Sequence, residues 1–438
     1  MSELTVREDF PAVSREEWEG VIRADLKGAD YEKKLVWRTE EGLAVRPYYR
    51  ADDSAGLEYP FVGGTPDSTP RPETIRADAH HEAGATAVQE LGYALAEGVE
   101  RLARVGAREI EFVFAAGSTF FFEIAKLRAA RLIWARAVSA FDHEQQCAMR
   151  ICVRTSRRNK SIYDRYTNVL RATTEALSGM IGGADQLTVE PFGFDEHLAL
   201  NVQRILREEA HIELPADPAG GAYFIEVLTD SLAREAWKLF QQVEAAGGYS
   251  AAVASGSVAQ AIGASRVERE KAVALRRKTL VGVNNYPNLM EKDPEVEASG
   301  EHRLALAFEK IRARTSRHAR VTGRYPRVLL LKRGDLKMRM ARANFSLNFF
   351  GCAGFEIEEV EQLEGKRAEL IVLCSSDAEY AALAGEICPV AKAPVIVAGY
   401  PKDQIESLQA AGVQGFIHIQ SDAVRTLTEW QDRLGMQQ

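Results

Sequence analysis

The chain has 438 residues, long enough for two or three domains that each bury a core. Its formal charge of −8 argues against nucleic acid as the main partner, which calls for a basic face. No stretch reaches the ~18 consecutive apolar residues of a membrane span, and the opening MSELTVREDFPAVSREEW lacks an apolar signal core, so a soluble, cytoplasmic protein is expected. Five cysteines, Cys147, Cys152, Cys352, Cys374 and Cys388, are scattered without a CxxC pair, the pattern of buried reduced thiols.

Residues 1–50 carry a helix, SREEWEGVIRADLKGADYEKKL, with Trp18, Ile22 and Leu26 at four-residue spacing and Gly28 as its stop. Residues 51–70, rich in Gly, Pro, Ser and Asp, read as an irregular linker. Residues 71–210 alternate strands with helices in four β–α units: PETIRADA, REIEFVFAA, CAMRICVRTS and DQLTVEPFG each lead into a helical run. Residues 211–325 are mainly helical, with a structured break at VGVNNYPN. Residues 326–438 give five further strands, RVLLLK, FEIEEV, ELIVLC, PVIVAG and GFIHI, each expected to open a β–α unit, the count of a flavodoxin-like domain.

Four parallel strands with outer helices make a partial, half (β/α)8-type barrel. Such a block leaves two sheet edges, and an inner face expected to carry Ile110, Phe112, Ile151 and Leu187, without an opposite wall. Either it forms a small open sheet or another element covers it.

His80-His81-Glu82 is the densest titratable cluster. A helical zinc site needs histidines four apart, so adjacent ones diverge, and a structural or solvent-facing role is expected. The pairs Gly182-Gly183 and Gly220-Gly221 fit neither phosphate-loop pattern and read as turns. Arg150, Arg154, Arg157, Arg158 and Lys160 could hold a phosphorylated ligand, although a solvated loop or a patch for an acidic partner is the plainer expectation. No GxSxG and no Ser-His-Asp logic is legible. The loop after the first strand of the last domain, Gly334 to Met338, stands where a doubly wound sheet holds its ligand, yet has no histidine, cysteine or glycine run.

The runs EAGATAVQELGYALAEGVERL, FFFEIAKLRAARLIWARA, YTNVLRATTEALSGMIGGADQLTVEPF, DPAGGAYFIEVLTDSLAREAWKLFQQVEAAGG and VGVNNY, and the arm EEWEGVIRADLKGADYEKKLVWRTEEGLAVRPYY, closely resemble the methylmalonyl-CoA mutase family in order. The resemblance implies an acyl-CoA-binding barrel, a helical linker and a C-terminal cobalamin domain, with radical rearrangement started by adenosylcobalamin. Its departures are as telling. The family's cobalt-binding loop reads KxGxDxHxxG; here Lys332 and Gly334 match, but its Asp, His and Gly positions are Leu336, Met338 and Ala341. A thioether cannot stand in for an imidazole and its hydrogen-bonded carboxylate, and Lys337, Arg339, Phe345 and Phe350 look too bulky for a helix beneath a cofactor tail. The family's barrel histidine falls at Ala79. Its RTxxQTSGWS segment keeps Arg150, Thr155 and Ser156 but has Arg154, Arg157 and Arg158 at the Gln, Gly and Trp positions. The first half of the barrel has no counterpart.

The resemblance therefore implies a small (beta), non-catalytic subunit of a heterodimeric mutase. In that reading the arm contacts a catalytic large (alpha) subunit that holds the adenosylcobalamin. No cofactor, metal or catalytic residue is expected on this chain, and Arg150 and Ser156 remain as candidate substrate contacts. The alternatives are a split acyl-CoA mutase whose missing half barrel another chain supplies, or a non-enzymatic acyl-CoA-binding protein.

Overall fold

The computed structural model describes residues 13–57, 72–141, 148–291 and 302–437, so Cys147, the first residues of the arm and most of the 51–70 linker lie outside the described residues. The arm's helix runs Arg15–Asp25, capped by a reciprocal Ser14/Glu17 pair, and ends before Gly28 at φ +86°. A second short helix, Tyr31–Leu35, precedes an antiparallel ribbon of β1 (Trp37–Arg38) and β2 (Ala44–Val45). Neither arm helix buries a residue: Trp18 is 49% exposed, Val21 64% and Trp37 48%.

Next comes a four-stranded parallel sheet in chain order, β3 (Glu73–Arg76), β4 (Ile110–Ala116), β5 (Arg150–Thr155) and β6 (Gln186–Thr188). Its helices include Ala77–Ala83, Ala87–Val105, Phe120–Phe141, Thr167–Ile181 and Glu196–Arg204, with Tyr223–Ala245 packed over the second and third. Register sets Ile75, Phe112 and Ile151 side by side on one face and Thr74, Glu111 and Arg150 on the other. The expectation of an uncovered apolar inner face is corrected here. Ile110, Phe112 and Ile151, each at most 2% exposed, face the helices and share one core with Leu91, Trp134 and Leu232, and Leu187 packs half-buried beside them. Alternation along a strand sets which residues share a face but does not say which face the helices cover. The opposite face is polar: Glu111 accepts from Thr74 Oγ1 (3.0 Å) and Arg150 Nε (3.4 Å), and Arg154 pairs with Glu190.

Helices Tyr249–Ala254, Ser257–Ala274 and Leu306–Thr322 bridge to a second parallel sheet. Its strands are β7 (Arg327–Lys332), β8 (Glu356–Val360), β9 (Leu370–Cys374), β10 (Val395–Ala398) and β11 (Val413–Ile417), in the order β8-β7-β9-β10-β11. Winding reverses between β7 and β9. Val328 and Leu330 face one core and Leu329 and Leu331 the other, which is why these strands read as continuous apolar runs. Two expectations shift. No helix follows β8, and the Leu306–Thr322 helix, placed by sequence in the 211–325 linker, belongs to the second unit's core. Phe308 and Ile311 pack with Val328 and Trp430, and Gln431 Nε2 donates to Ile311 O (2.7 Å). Among the described residues no helix is long and apolar enough to cross a membrane.

Candidate functional site

Parallel sheets present function at the carboxyl ends of their strands. On the four-stranded sheet that edge holds a buried chain of charges. Ser156, just beyond β5 and 1% exposed, has its Oγ 2.9 Å from His81 Nε2, and His81 Nδ1 lies 3.6 Å from Glu90 Oε2. Lys126 Nζ donates to Glu90 (2.8 Å) and to the Ala115 carbonyl (2.6 Å) and lies 2.6 Å from Glu123. Burial alone would push the Glu90 carboxyl up, but Lys126 and His81 hold it at about 2; burial lowers Lys126, and Glu123 and Glu90 more than reverse that. Close by, Lys160 pairs with Glu175, both essentially unexposed, and burial drives the lysine down and the carboxyl up, toward a neutral pair.

Ser156, His81 and Glu90 stand in the order nucleophile, base, orienter, a catenation no sequence pattern disclosed. Its chemistry is nonetheless committed elsewhere. Glu90 is matched to Lys126, and Ser156 Oγ also accepts the Arg158 N–H (3.0 Å). The network joins the loops after β3, β4 and β5. A signal for it did exist: FFFEIAKLRAARLIWARA sets Glu123, Lys126 and Arg128 inside an apolar helix, and all three are buried, Arg128 against Asp217 and Glu226.

The structure does not bring the two candidate substrate contacts together. Arg150 opens β5 and Ser156 follows its end, roughly 20 Å apart at ~3.3 Å per residue, with Arg150 against Glu111 at the amino end. The solvated loop is also corrected. Of the five cations only Arg157 is exposed, its guanidinium over the Phe192 ring; Arg150, Arg158 and Lys160 are buried, and Arg154 is tied to Glu190. The adjacent histidines diverge as expected, but neither is solvent-facing: His81 turns to Ser156, and His80 meets Tyr249 Oη at 3.0 Å, its pKa lowered by burial. Gly183 and Gly221 take positive φ (+84° and +78°), as turns require.

On the five-stranded sheet the crevice lies between the loops after β7 and β9. Asp335 Oδ1 caps the Leu336–Gly351 helix by accepting from Met338 N (2.8 Å), and Leu336 is 64% exposed. Glu379 fills the space between the loops. Its carboxylate accepts from Ser375 Oγ (2.7 Å), Ser376 Oγ (2.6 Å) and the N–H groups of Asp335 and Ser376 (3.2 Å), and these bonds, the Ser376 hydroxyl first, hold it at about 2. Gly334 sits at φ +75°, a conformation that favours glycine, and a Cβ there would displace the Glu379 carboxylate. Tyr380 fills the core beneath and donates to Ala398 O (2.6 Å). Phe350, expected to obstruct a cofactor tail, is instead a core residue below the sheet. The one imidazole at this edge, His418 beyond β11, leans on the Tyr400 ring at 4.7 Å. This donor set does not fit cobalamin: the loop offers a thioether, and an internal carboxylate takes the crevice. Cys352 and Cys374 are buried, with burial raising both thiols to about 12, while Cys152 and Cys388 are partly exposed. Among the described residues no cluster of His, Cys, Asp or Glu could hold a metal.

Residues 39–323 match the family described as Methylmalonyl-CoA mutase. The chain is 31% identical to the methylmalonyl-CoA mutase small subunit of Porphyromonas gingivalis, with 98% of each chain covered across 616 aligned positions, more than this chain has residues. It is 35% identical to the small subunit of Streptomyces virginiae over 83% of this chain and 64% of that one. For the small subunit of Propionibacterium freudenreichii subsp. shermanii the figures are 32%, 85% and 64%. The chain thus spans just under two thirds of the length of the latter two. With its two parallel α/β sheets and a match over most of its length, the chain belongs to the methylmalonyl-CoA mutase family.

Proposed function

We propose that this chain is the small, non-catalytic subunit of a two-chain methylmalonyl-CoA mutase. A large (alpha) partner chain would hold adenosylcobalamin, bind the acyl-CoA and interconvert methylmalonyl-CoA and succinyl-CoA. The four-stranded sheet is then half of a (β/α)8 barrel, and the five-stranded sheet a flavodoxin-like domain whose cofactor site has been lost. The observation that carries this reading is the crevice, where the loop offers Leu336, Met338 and Ala341 in place of the family's cobalt-binding set and the Glu379 carboxylate ties the two loops together. The names of the relatives point the same way, and the arm's two helices, which bury no residue and leave Trp18 half-exposed, suit a segment that lies on a partner. This chain's part is structural: the Glu90–Lys126–Glu123 cluster fixes the loops at the strand ends, and no residue here is assigned a chemical step.

The test is co-expression with a full-length large chain. Activity and bound cobalamin should appear in the complex, and hydroxocobalamin titrated into this chain alone should give no nitrogen-coupled cobalt(II) resonance after reduction. Such a resonance from the isolated chain would sink the proposal. A split enzyme is the second reading, favoured by the four strands this sheet has among the described residues. It requires activity with a half-barrel partner and none with a full-length one.

A further inference from the structure

The four-stranded sheet ends in two edges: among the described residues no strand pairs with the outer side of β3 or of β6. The N–H and C=O groups along such an edge are a template for a further strand. On β6 that edge is open, with Gln186 and Thr188 exposed and Leu187 half-buried. The helix that follows β6 repeats the pattern. Glu196–Arg204 turns Ala199 and Val202 into a core shared with Ala172 and Ala176 of the Thr167–Ile181 helix. Leu198 (38%) and Leu200 (48%) stay exposed on it, and Ile205 (49%) and Leu214 (75%) follow in the turns beyond. In a closed (β/α)8 barrel a further unit packs on that side. The sheet face turned away from the helices is charged, yet its charges are matched in pairs within the chain. Arg76 Nη2 meets Asp78 (2.7 Å), Arg150 Nε meets Glu111 (3.4 Å), and Arg154 pairs with Glu190. Enclosing that face strands no lone charge.

We infer that two copies of this chain join edge to edge, β6 of each against β3 of the other, and close one eight-stranded parallel barrel. The geometry selects a second copy as the occupant. The outer sides of β3 and β6 are the two opposite sides of one parallel ladder, so each supplies what the other lacks. A two-fold axis along the strands makes both junctions at once, keeps every strand parallel and leaves no edge. The exposed strip at Leu198, Leu200 and Ile205 is then covered by the first unit of the other copy. A large chain with a closed barrel of its own has no strand edge to offer. Such pairing rests on the half-barrel reading above, and it leaves the arm for the large chain.

The experiment is sedimentation equilibrium of the full chain, without the large chain, across a concentration series. A dimer is expected. Asp185 N donates to Ile151 O (2.8 Å), so by the alternation of a parallel strand the Thr188 N–H points outward. Thr188→Pro removes that donor and sets a ring on the edge, where a lone strand tolerates it. Leu200→Glu puts a charge on the exposed strip, where it costs the fold little. Each should weaken the dimer at least tenfold with the circular dichroism spectrum unchanged, and Trp18→Glu, on the arm, should leave the dimer as it is. A monomeric natural chain, an open-ended series of larger species, a dimer undiminished in Leu200→Glu, or a dimer lost in Trp18→Glu would overturn the inference. A monomer that still forms an active complex with the large chain would leave the subunit reading standing.

Discussion

Lys126→Met removes the one cation between two buried carboxylates. Lys126 is 1% exposed and Glu90 0%, so the substitution leaves the buried Glu90 with only the Ala115 N–H (2.9 Å) and His81 (3.6 Å) beside it, and the Ala115 carbonyl loses its 2.6 Å donor. Breaking a buried pair by removing one partner costs about 3–5 kcal/mol, and the orphaned carbonyl adds about 1, against a typical domain stability of roughly 5–15 kcal/mol. The pH dependence separates loss of charge from loss of packing. In the natural chain the Glu90 pKa lies below its unfolded value, so its contribution is complete above pH 4.5 and is lost as pH falls toward 2. In the variant, desolvation without Lys126 raises the Glu90 pKa above the unfolded value, so stability falls as pH rises from 5 to 7, by up to ~1.4 kcal/mol per unit. Urea unfolding followed by circular dichroism at pH 5, 6 and 7 reads both effects. A loss below about 1 kcal/mol with the same pH profile as the natural chain would refute this account of the cluster.

Gly334→Ala should destabilise the second unit by about 1–2 kcal/mol through its positive φ and its meeting with Glu379, and Glu379→Ala in the same chain should recover part of that, measured by urea unfolding. Met338→His should not confer cobalamin binding, since Glu379 still fills the crevice; a micromolar dissociation constant by absorbance titration would contradict this. A fragment of residues 302–437 should unfold cooperatively, while 326–437, stripped of Phe308 and Ile311, should be less stable by about 3–6 kcal/mol. Reversing the arm's exposed apolar surface with Trp18→Glu should leave the melting temperature of the isolated chain within a degree or two yet weaken the complex with the large chain at least tenfold by calorimetry.

The sequence by itself determined most of the elements and which side chains the crevice loop can offer. Runs such as VLLL and LIVLC, short and bounded by turn residues, read as strands buried on both faces, and β4 and β5 follow their predicted segments, because side-chain period and turn residues are local properties. The vacancy at Leu336, Met338 and Ala341 is equally local: a loop without an imidazole cannot present one in any fold. Only the tertiary structure decided which face of an alternating strand meets the helices, so that Phe112 is core and Glu111 lines a polar face. It also decided which distant charges meet: Glu123 and Lys126 are neighbours one helical turn apart, but Glu90 and Lys126, 36 positions apart, and Arg158 and the His302 carbonyl, 144 apart, are paired by the fold alone. The reason is physical: a buried charge is tolerable only where the fold brings it a partner, and that is a property of three-dimensional packing, whereas strand and helix periodicity are properties of the chain.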